Sequence, residues 1–322
     1  MWRYLLKRMG LMIITFIITV FVIFVVIKLM PDNYIQRPFT DDTWYEVNAA
    51  REGWDKPIPV QFWLWVKNIF STGSFGFSEN LKRDVSDVYF SKIPATIRIN
   101  FVPYFLSIPI AIVLGVVAAL HKNKLADQII SVSIMIFISV PFFVVAVLAQ
   151  FVFYFRLGWA PSLWVATSTE FLEKGMWYGL STYILPVTVL TIASIPGFAR
   201  SVRAELTEQI TSEYMLLARS KGLSKNEAVY RHALKNALVP FLPSIFIGII
   251  AIISGSIITE RIFRVDGVGR IYLDAFNNRD YAMIMLVTTF SQFITLVSAI
   301  INDISYTIFD PRIRFGSGKL SW

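Results

Sequence analysis

The sequence contains no cysteine, only two histidines and only 16% charged residues over its 322 positions. Without cysteine there can be no disulfide, no thiolate-bound metal and no cysteine nucleophile. His121 and His232 cannot form a metal site by themselves, and no His-Glu-x-x-His motif occurs. These absences exclude the enzyme classes that depend on thiol chemistry or on a histidine-rich metal centre.

Motifs for nucleotide binding are also missing. The tail 316–319 resembles the end of a phosphate-binding loop, but Ile313 stands where its first glycine belongs and Leu320 replaces its Ser or Thr. Gly267 and Gly269 lack the third glycine and the preceding strand of a dinucleotide fingerprint. We therefore expect no ATP use, no cofactor and no enzymatic activity in this chain itself.

Long apolar runs dominate what is present. Hydrophobic residues make up 55% of the chain, and its mean hydropathy is positive. Six uncharged runs reach the roughly 20 residues that a helix needs to cross a bilayer. They are Met9–Ile27, Ile99–Leu120, Ile129–Phe155, Gly175–Ala199, Asn236–Thr259 and Tyr281–Asn302. The prediction is an all-α integral membrane protein with six transmembrane helices, and no run has the mid-span acid of a proton or sodium relay.

The distribution of charge predicts the orientation of these spans. With six spans, both termini share a side with segments 121–128 and 200–235, and that side carries the whole net charge of +8. The positive-inside rule makes it cytoplasmic, so the basic composition requires no nucleic-acid partner. We expect an N-terminal helix over 1–30, an extracytoplasmic segment over 31–95, a five-helix core over 96–309 with a cytoplasmic loop at 200–238, and a cytoplasmic tail over 310–322.

The loop 200–238 contains the most informative stretch. A short helix is predicted from Glu213 to Lys221, ended by Gly222, and Ser224 with Glu227 forms a capping box that opens a second helix. At about 1.5 Å per residue the first helix is too short to span a bilayer. It is nevertheless strongly apolar, so its apolar face must be buried somewhere. Two interpretations remain open: it rests on its own bundle or the lipid interface, or it docks onto a separate protein.

Other local patterns give more limited predictions. Pro141, beside Phe142, should kink the third span. The outer segment contains several tryptophans and a predicted helix at Val60–Phe70, and these tryptophans also fit a membrane-interface belt. Gly267 and Gly269 fit a tight external turn before a short helix at 270–276.

The stretch Tyr214–Pro240, above all Ala218-Arg219-Ser220-Lys221-Gly222-Leu223-Ser224, resembles the cytoplasmic coupling loop of permease subunits from ATP-binding-cassette (ABC) importers. It is most similar to the first of the two paired permeases in the peptide branch. Three further stretches agree with it: 3–31, 260–281 with Glu260-x-x-Phe263 and Asn278-Arg279-Asp280-Tyr281, and the ending Asp310-Pro311-Arg312-Ile313-Arg314. The chain departs from the general Glu-Ala-Ala pattern, because Leu216 and Leu217 stand where Glu and Ala would be.

The resemblance implies a type I importer permease fold in a bacterial cytoplasmic membrane. It implies four kinds of partner: a homologous second permease, two cytoplasmic ATPase subunits that bind ATP and Mg, an extracytoplasmic binding protein, and a peptide substrate delivered between the two permeases. The implied ATPase-coupling residues are Tyr214, Leu217, Ala218, Arg219, Lys221, Gly222, Leu223, Ser224 and Glu227, with the small Ala218 and Gly222 allowing close approach. Residues expected on the translocation path or at its gate are Pro141, Phe142 and Glu260.

Two alternatives stay open at the level of the sequence. The same machinery could carry nickel or another small solute, because selectivity can reside in the binding protein. The chain could instead be a channel-like membrane protein without an ATPase partner, in which the short helix is merely interfacial. The subunits that copurify with the chain discriminate between these possibilities.

Overall fold

The computed structural model describes residues 2–30, 50, 53–78 and 80–309, and helices make up most of this part of the chain. The first part of the predicted extracytoplasmic segment, 31–49, and the ending Asp310–Arg314 lie outside the described residues. The N-terminal part contains helices α1 (Trp2–Leu29) and α2 (Ile58–Thr72) and the hairpin strands β1 (Phe77–Ser78) and β2 (Arg83–Asp84). Antiparallel pairing joins Phe77 to Asp84 and Ser78 to Arg83.

The remaining elements are helical. They are α3 (Val85–Leu120), α4 (Leu125–Ser139), α5 (Phe142–Gln150) with a π-helical end (Phe151–Arg156), α6 (Ser168–Lys174), α7 (Met176–Ser181), α8 (Ile184–Ile210) and α9 (Glu213–Ser220). After these come α10 (Lys225–Ala228), a π-helical turn (Val229–Ala233), α11 (Leu234–Leu238), α12 (Phe241–Ala251) with a 3-10 end (Ile252–Ser254), α13 (Ile257–Ile262), α14 (Val268–Asn277) and α15 (Tyr281–Phe309).

Among the described residues, four helical segments are long and apolar enough to cross a membrane, and two bent pairs bring the number to six. The bent pairs correspond to the third and fifth predicted spans, which are therefore not single helices. The third is broken by 94° between α4 and α5, and the fifth by 51° between α11 and α12. Proline explains both breaks, since Pro141 and Pro240 lack the N–H that would continue the helical hydrogen bonding.

The described chain forms two compact units, one from the residues before Ala95 together with 267–297, and one from 95–266 together with the residues from Ser298 onward. The expected core over 96–309 is thus divided. The reason is a hydrophobic cluster of the first unit, in which residues of α14 and the start of α15 pack with α1 and the start of α3. Its fully buried members include Val85, Tyr89, Val268, Met283 and Leu286.

The first unit also explains one motif of the sequence. Asp280 is 2% exposed and accepts the Met283 N–H at 3.2 Å, so it caps the N-terminus of α15. The Ser78 hydroxyl, at the end of β1, hydrogen-bonds the same carboxylate. Asp280 therefore joins the hairpin to a predicted transmembrane helix.

Three predictions about the predicted outer segments can be compared with the structure. The helix predicted at Val60–Phe70 is confirmed as the longer α2, and the short helix predicted at 270–276 is confirmed as α14. The glycine turn before it is wrong. Gly267 is extended, with φ −116° and ψ −174°, and Gly269 lies buried inside α14, while the left-handed residue is Arg264 with φ 51°. The glycines are placed where α14 begins, not where the chain turns.

Candidate functional site

The candidate site is α9, an eight-residue helix that follows the end of α8. Its predicted start at Glu213 is confirmed. The Ser212 hydroxyl does not cap the helix, because it donates to the Gln209 carbonyl at 2.6 Å. The first residues of the predicted cytoplasmic loop 200–238 continue α8 as a helix to Ile210.

The end of α9 is a Schellman motif. The Gly222 N–H donates to the Arg219 carbonyl at 3.0 Å, and the Leu223 N–H donates to the Ala218 carbonyl at 3.3 Å. Gly222 has φ +92°, a left-handed conformation that residues with a side chain rarely adopt. Lys221 is the C-cap, so the helix ends one residue before the predicted boundary while the stop at Gly222 is confirmed.

The capping box predicted for the next helix is also confirmed. The Ser224 hydroxyl accepts the Glu227 N–H at 3.3 Å, and the Glu227 carboxylate accepts the Ser224 N–H at 3.1 Å. The Schellman motif and the capping box follow each other directly, so the backbone from α9 to α10 has little conformational freedom.

The two faces of α9 have different surroundings. Met215 and Ala218, three residues apart, are 2% and 9% exposed. They belong to a hydrophobic cluster that includes residues of α3, α8 and α12, and we call it the coupling cluster: Val116, Ala119, Val202, Leu206, Met215, Ala218, Ala228, Val229, Ala233, Ala237 and Phe241. On the other face, Leu216 is 65% exposed and Leu217 is 57% exposed. One face of α9 thus rests on the chain's own bundle, as one of the two interpretations expects, and the other face is exposed.

This arrangement changes the expected roles of individual residues. Ala218 was expected to allow close approach of a partner, but it is covered by the chain's own coupling cluster. Gly222 is exposed, with open space around the position of a Cβ atom. Tyr214 is half-buried, and its hydroxyl donates to the Gln209 side-chain oxygen at 2.7 Å. Arg219 and Lys221 are exposed and Leu223 is half-buried.

The coupling cluster is continuous with a close helix crossing. A Cβ atom at Gly115 in α3 would lie 2.7 Å from the Val202 Cβ and 2.9 Å from the Ala199 carbonyl oxygen in α8. Only glycine permits this separation of the two backbones. The inner face of α9 is therefore packed onto a tightly joined pair of helices.

Pro141 and Phe142, expected on the path or at its gate, lie at the 94° break between α4 and α5. Val140 is extended, with φ −83° and ψ 123°, and Pro141 precedes the first residue of α5. Pro141 is exposed, whereas Phe142 is half-buried against the cluster that contains Ile99 and Phe263. The break is sharper than the kink that the sequence predicts.

Glu260, the third residue expected on the path, is fully buried. Its carboxylate oxygen Oε1 accepts the Thr96 hydroxyl at 2.9 Å and the Ser256 N–H at 3.3 Å. It lies in α13, directly after a break at Gly255, which has φ +76°. In this conformation Glu260 holds α13 against the start of α3, and its side chain is not exposed to a solute.

Three polar contacts of the second unit are not predicted from the sequence. Gln150 is 8% exposed, and its amide donates to the Leu163 carbonyl at 2.9 Å and to the Ile262 carbonyl at 3.2 Å. The position of this polar residue inside the third apolar run is a signal, available in the sequence, that its side chain has a polar partner. The Arg264 guanidinium lies 3.6 Å from the centre of the Trp164 ring. Asp127 and Arg203 form an ion pair across 76 positions, which no local pattern indicates.

No metal centre is visible in the part of the chain that the structure describes. Within it, no group of three or more His, Asp or Glu side chains is arranged to hold a metal ion. An exposed ion pair lies within α6, with the Lys174 Nζ 3.1 Å from the Glu170 Oε1. The hydrogen bond from the Thr167 N–H is the main cause that lowers the pKa of the Glu170 carboxyl, and the hydrogen bond from Lys174 lowers it further.

The geometry thus defines a multi-pass helical membrane protein that presents a short helix, anchored on one face and apolar on the other, beyond the end of a long helix. Residues 111–315 match the family model described as binding-protein-dependent transport system inner membrane component, and residues 1–100 match its companion model for the N-terminal part. The chain belongs to this family of transport permeases.

Relatives extend over the whole chain. The dipeptide transport system permease protein DppB of Lactococcus lactis is 31% identical, covering 98% of this chain and 100% of its own length. The oligopeptide transport system permease protein OppB of Haemophilus influenzae is 31% identical with the same coverage. A putative peptide transport system permease protein of Brucella abortus is 32% identical over 97% of this chain and 98% of its own. The resemblance drawn from Tyr214–Pro240 is confirmed.

A solved structure agrees at the level of the fold. An inward-facing structure of the methionine ABC transporter MetNI is similar over 74% of this chain and 100% of the matched chain, with a TM-score of 0.52 and 18% identity. The fold is that of a type I ABC importer permease, as the sequence predicts.

Proposed function

We propose that this chain is one of two permease subunits that together carry peptides across a bacterial cytoplasmic membrane. A binding protein outside delivers the peptide, and two cytoplasmic ATPase subunits hydrolyse ATP bound with Mg. The names of the full-length relatives, which are dipeptide and oligopeptide permeases, support the peptide cargo. The chain's own contribution is a path through its spans and a coupling helix, α9.

The observation that carries the proposal is the division of α9 into two faces. Met215 and Ala218 fix the helix to the coupling cluster, while Leu216 and Leu217 remain exposed. Two adjacent exposed leucines on a helix outside the spans favour contact with a partner, since their burial would contribute about 1.5–3 kcal/mol each. Arg219 and Lys221 are exposed beside them and can pair with acidic groups of the same partner.

In this mechanism the ATPase subunits close on ATP and move the helix that they hold. Because the inner face of α9 is packed against α8 and α3, a displacement of α9 is transmitted to two long helices at once. The tight crossing at Gly115 keeps those helices together during the movement. The spans then reorient, and the peptide path opens to the other side of the membrane.

Copurification of the tagged full chain in mild detergent tests the proposal. The double variant Leu216→Asp with Leu217→Asp places two charges on the exposed face. We expect it to lose the ATPase subunits and to keep the second permease. The matched control is Leu172→Asp, at an outer leucine that is 87% exposed, and it should keep every subunit.

The same experiment separates the alternatives. Retention of the ATPase subunits by the double variant would show that α9 does not dock through its leucines. Recovery of the wild-type chain alone would favour a channel-like protein with an interfacial α9. If the complete complex is recovered, the ligand of its binding protein decides between a peptide and nickel or another small solute.

A further inference from the structure

An ion pair joins the start of α4 to the C-terminal part of α8. The Arg203 Nε lies 2.5 Å from the Asp127 Oδ1, and the Arg203 Nη2 donates to the Asp127 Oδ2 at 2.8 Å. The contact is bidentate, a geometry that fixes both side chains in direction as well as in distance. Asp127 is 3% exposed, whereas about a third of the Arg203 side chain is exposed.

The same carboxylate also fixes the turn that precedes α4. The Asn123 N–H donates to the Asp127 Oδ2 at 2.9 Å, and the Ser131 hydroxyl donates to the Oδ1 at 3.2 Å. Asn123 has φ +65°, so the turn adopts a conformation that this hydrogen bond helps to hold. One buried carboxylate therefore binds the turn 121–124, the first turns of α4, and α8.

Packing also attaches α4 to its unit, above all to α8. Asp127 and Ile134 are its only buried residues, and most of its other apolar side chains are exposed. Ile134 packs in a small cluster with Ala111 of α3 and Ala199 of α8. Within this unit, α4 is thus held to α8 both by the packing around Ile134 and by the ion pair, and the ion pair is the contact nearer to α9 in sequence.

We infer that Arg203 and Asp127 are positioning residues that make α4 follow the movement of α8 and α9. Val202, next to Arg203, packs in the coupling cluster with Met215 of α9. The other end of α4 is the break at Val140 and Pro141. The ion pair therefore connects the coupling helix to the break that contains the expected gate residues.

The inference rests on the proposed function, since it assigns the pair a role in coupled transport. The burial of the Asp127 carboxylate is the physical reason for an ion pair at this position. An Arg203 variant without charge leaves the buried Asp127 carboxylate unpaired, which is strongly unfavourable, so the first turn of α4 should detach from α8. An apolar contact of similar area could slide along the helix, whereas a bidentate pair holds one register.

The first test measures whether the pair holds the helices together. Because the chain has no cysteine, spin labels can be attached at Gln128→Cys in α4 and Glu208→Cys in α8, both exposed positions, within the intact complex. We expect a narrow distance distribution in the otherwise unchanged chain, a broad one with Arg203→Gln, and one of intermediate width with Arg203→Lys, which keeps the charge but not the bidentate geometry. An unchanged distribution with Arg203→Gln would overturn the inference.

The second test measures peptide transported per ATP hydrolysed by the complex in proteoliposomes. Arg203→Gln should lower this ratio about tenfold, within the range observed for residues that link coupled sites. Arg203→Lys keeps the charge without the bidentate geometry and should give an intermediate ratio. The control Lys174→Gln breaks the exposed pair with Glu170 and should leave the ratio unchanged.

The two tests together separate the possible failures. A broadened distribution with an unchanged transport ratio would make the pair merely structural and overturn its role in coupling. A wild-type complex without peptide-stimulated ATP hydrolysis would contradict the proposed function instead. In that case the label distances would still decide whether the ion pair holds α4 to α8.

Discussion

Leu217 and Ala218 are adjacent in α9 but differ in their surroundings, with 57% of Leu217 exposed and only 9% of Ala218. Ala218 rests against the coupling cluster, so its small side chain allows the helix to approach its own bundle. The Leu217 side chain is largely exposed, and the proposed function assigns it to a partner. The residues that hold the coupling helix in place are therefore not the ones that would contact an ATPase.

The left-handed conformation of Gly222 predicts a specific sensitivity. Gly222→Ala should strain the Schellman motif by about 1 kcal/mol, although the space for a Cβ atom is open. Gly222→Asn should cost less, because Asn tolerates this conformation better. Hydrogen exchange at the amides of 218–223 would measure the effect, and Gly222→Trp should in addition reduce peptide-stimulated ATP hydrolysis. Gly197→Ala, at a helical glycine with open surroundings, is the control.

The capping box at the start of α10 predicts a second local effect. Ser224→Ala removes the acceptor of the Glu227 N–H and should destabilise this helix start by about 1 kcal/mol. Faster hydrogen exchange at the amides of 225–228 would show it. Ser201→Ala removes an exposed hydroxyl bonded within α8 and should leave those amides unchanged. Equal exchange in both variants would mean that the box contributes nothing.

The crossing at Gly115 predicts a penalty for a single methyl group. Gly115→Ala places a Cβ atom 2.7 Å from Val202 and 2.9 Å from the Ala199 carbonyl, so α3 and α8 must move apart. We expect a loss of about 1–3 kcal/mol in the free energy of unfolding, typical of overpacked sites. Thermal unfolding in detergent measures it. Gly10→Ala, with nothing within 4 Å of the new atom, should not change the unfolding temperature.

Gln150 predicts the cost of an unpaired buried group. Gln150→Leu keeps a similar volume but leaves the Leu163 and Ile262 carbonyls without this donor, which should cost about 1–3 kcal/mol. The unfolding temperature of the purified complex measures this loss. The exposed Gln128→Leu in α4 is the matched substitution and should have little effect. Similar melting of the two variants would contradict the structural role assigned to Gln150.

Local signals in the sequence predict much of the structure of α9 and the start of α10. Gly222 as a helix stop and Ser224 with Glu227 as a capping box depend on neighbouring residues, and the structure confirms both. The apolar character of α9 indicates that a face is buried. It does not indicate which face, because Leu216, Leu217 and Ala218 are all apolar and only tertiary packing separates them.

Contacts between residues that are far apart in the sequence account for the features that the sequence does not predict. Asp127 and Arg203 look like two ordinary cytoplasmic charges until the fold brings them together. Similarly, Gly115 carries no signal of its own, since its role depends on the position of Val202. The breaks at Pro141 and Pro240 are predictable as kinks, but their angles of 94° and 51° depend on packing.

Site-directed crosslinking within α9 tests the central claim most directly. The chain has no cysteine, so Leu217→Cys and Ala218→Cys each provide a single thiol for a short photoactivatable reagent in the assembled complex. We predict that the label at position 217 crosslinks to an ATPase subunit and that the label at 218 does not. Crosslinking of both positions to the ATPase, or of neither, would contradict an α9 that is anchored on one face and docks through the other.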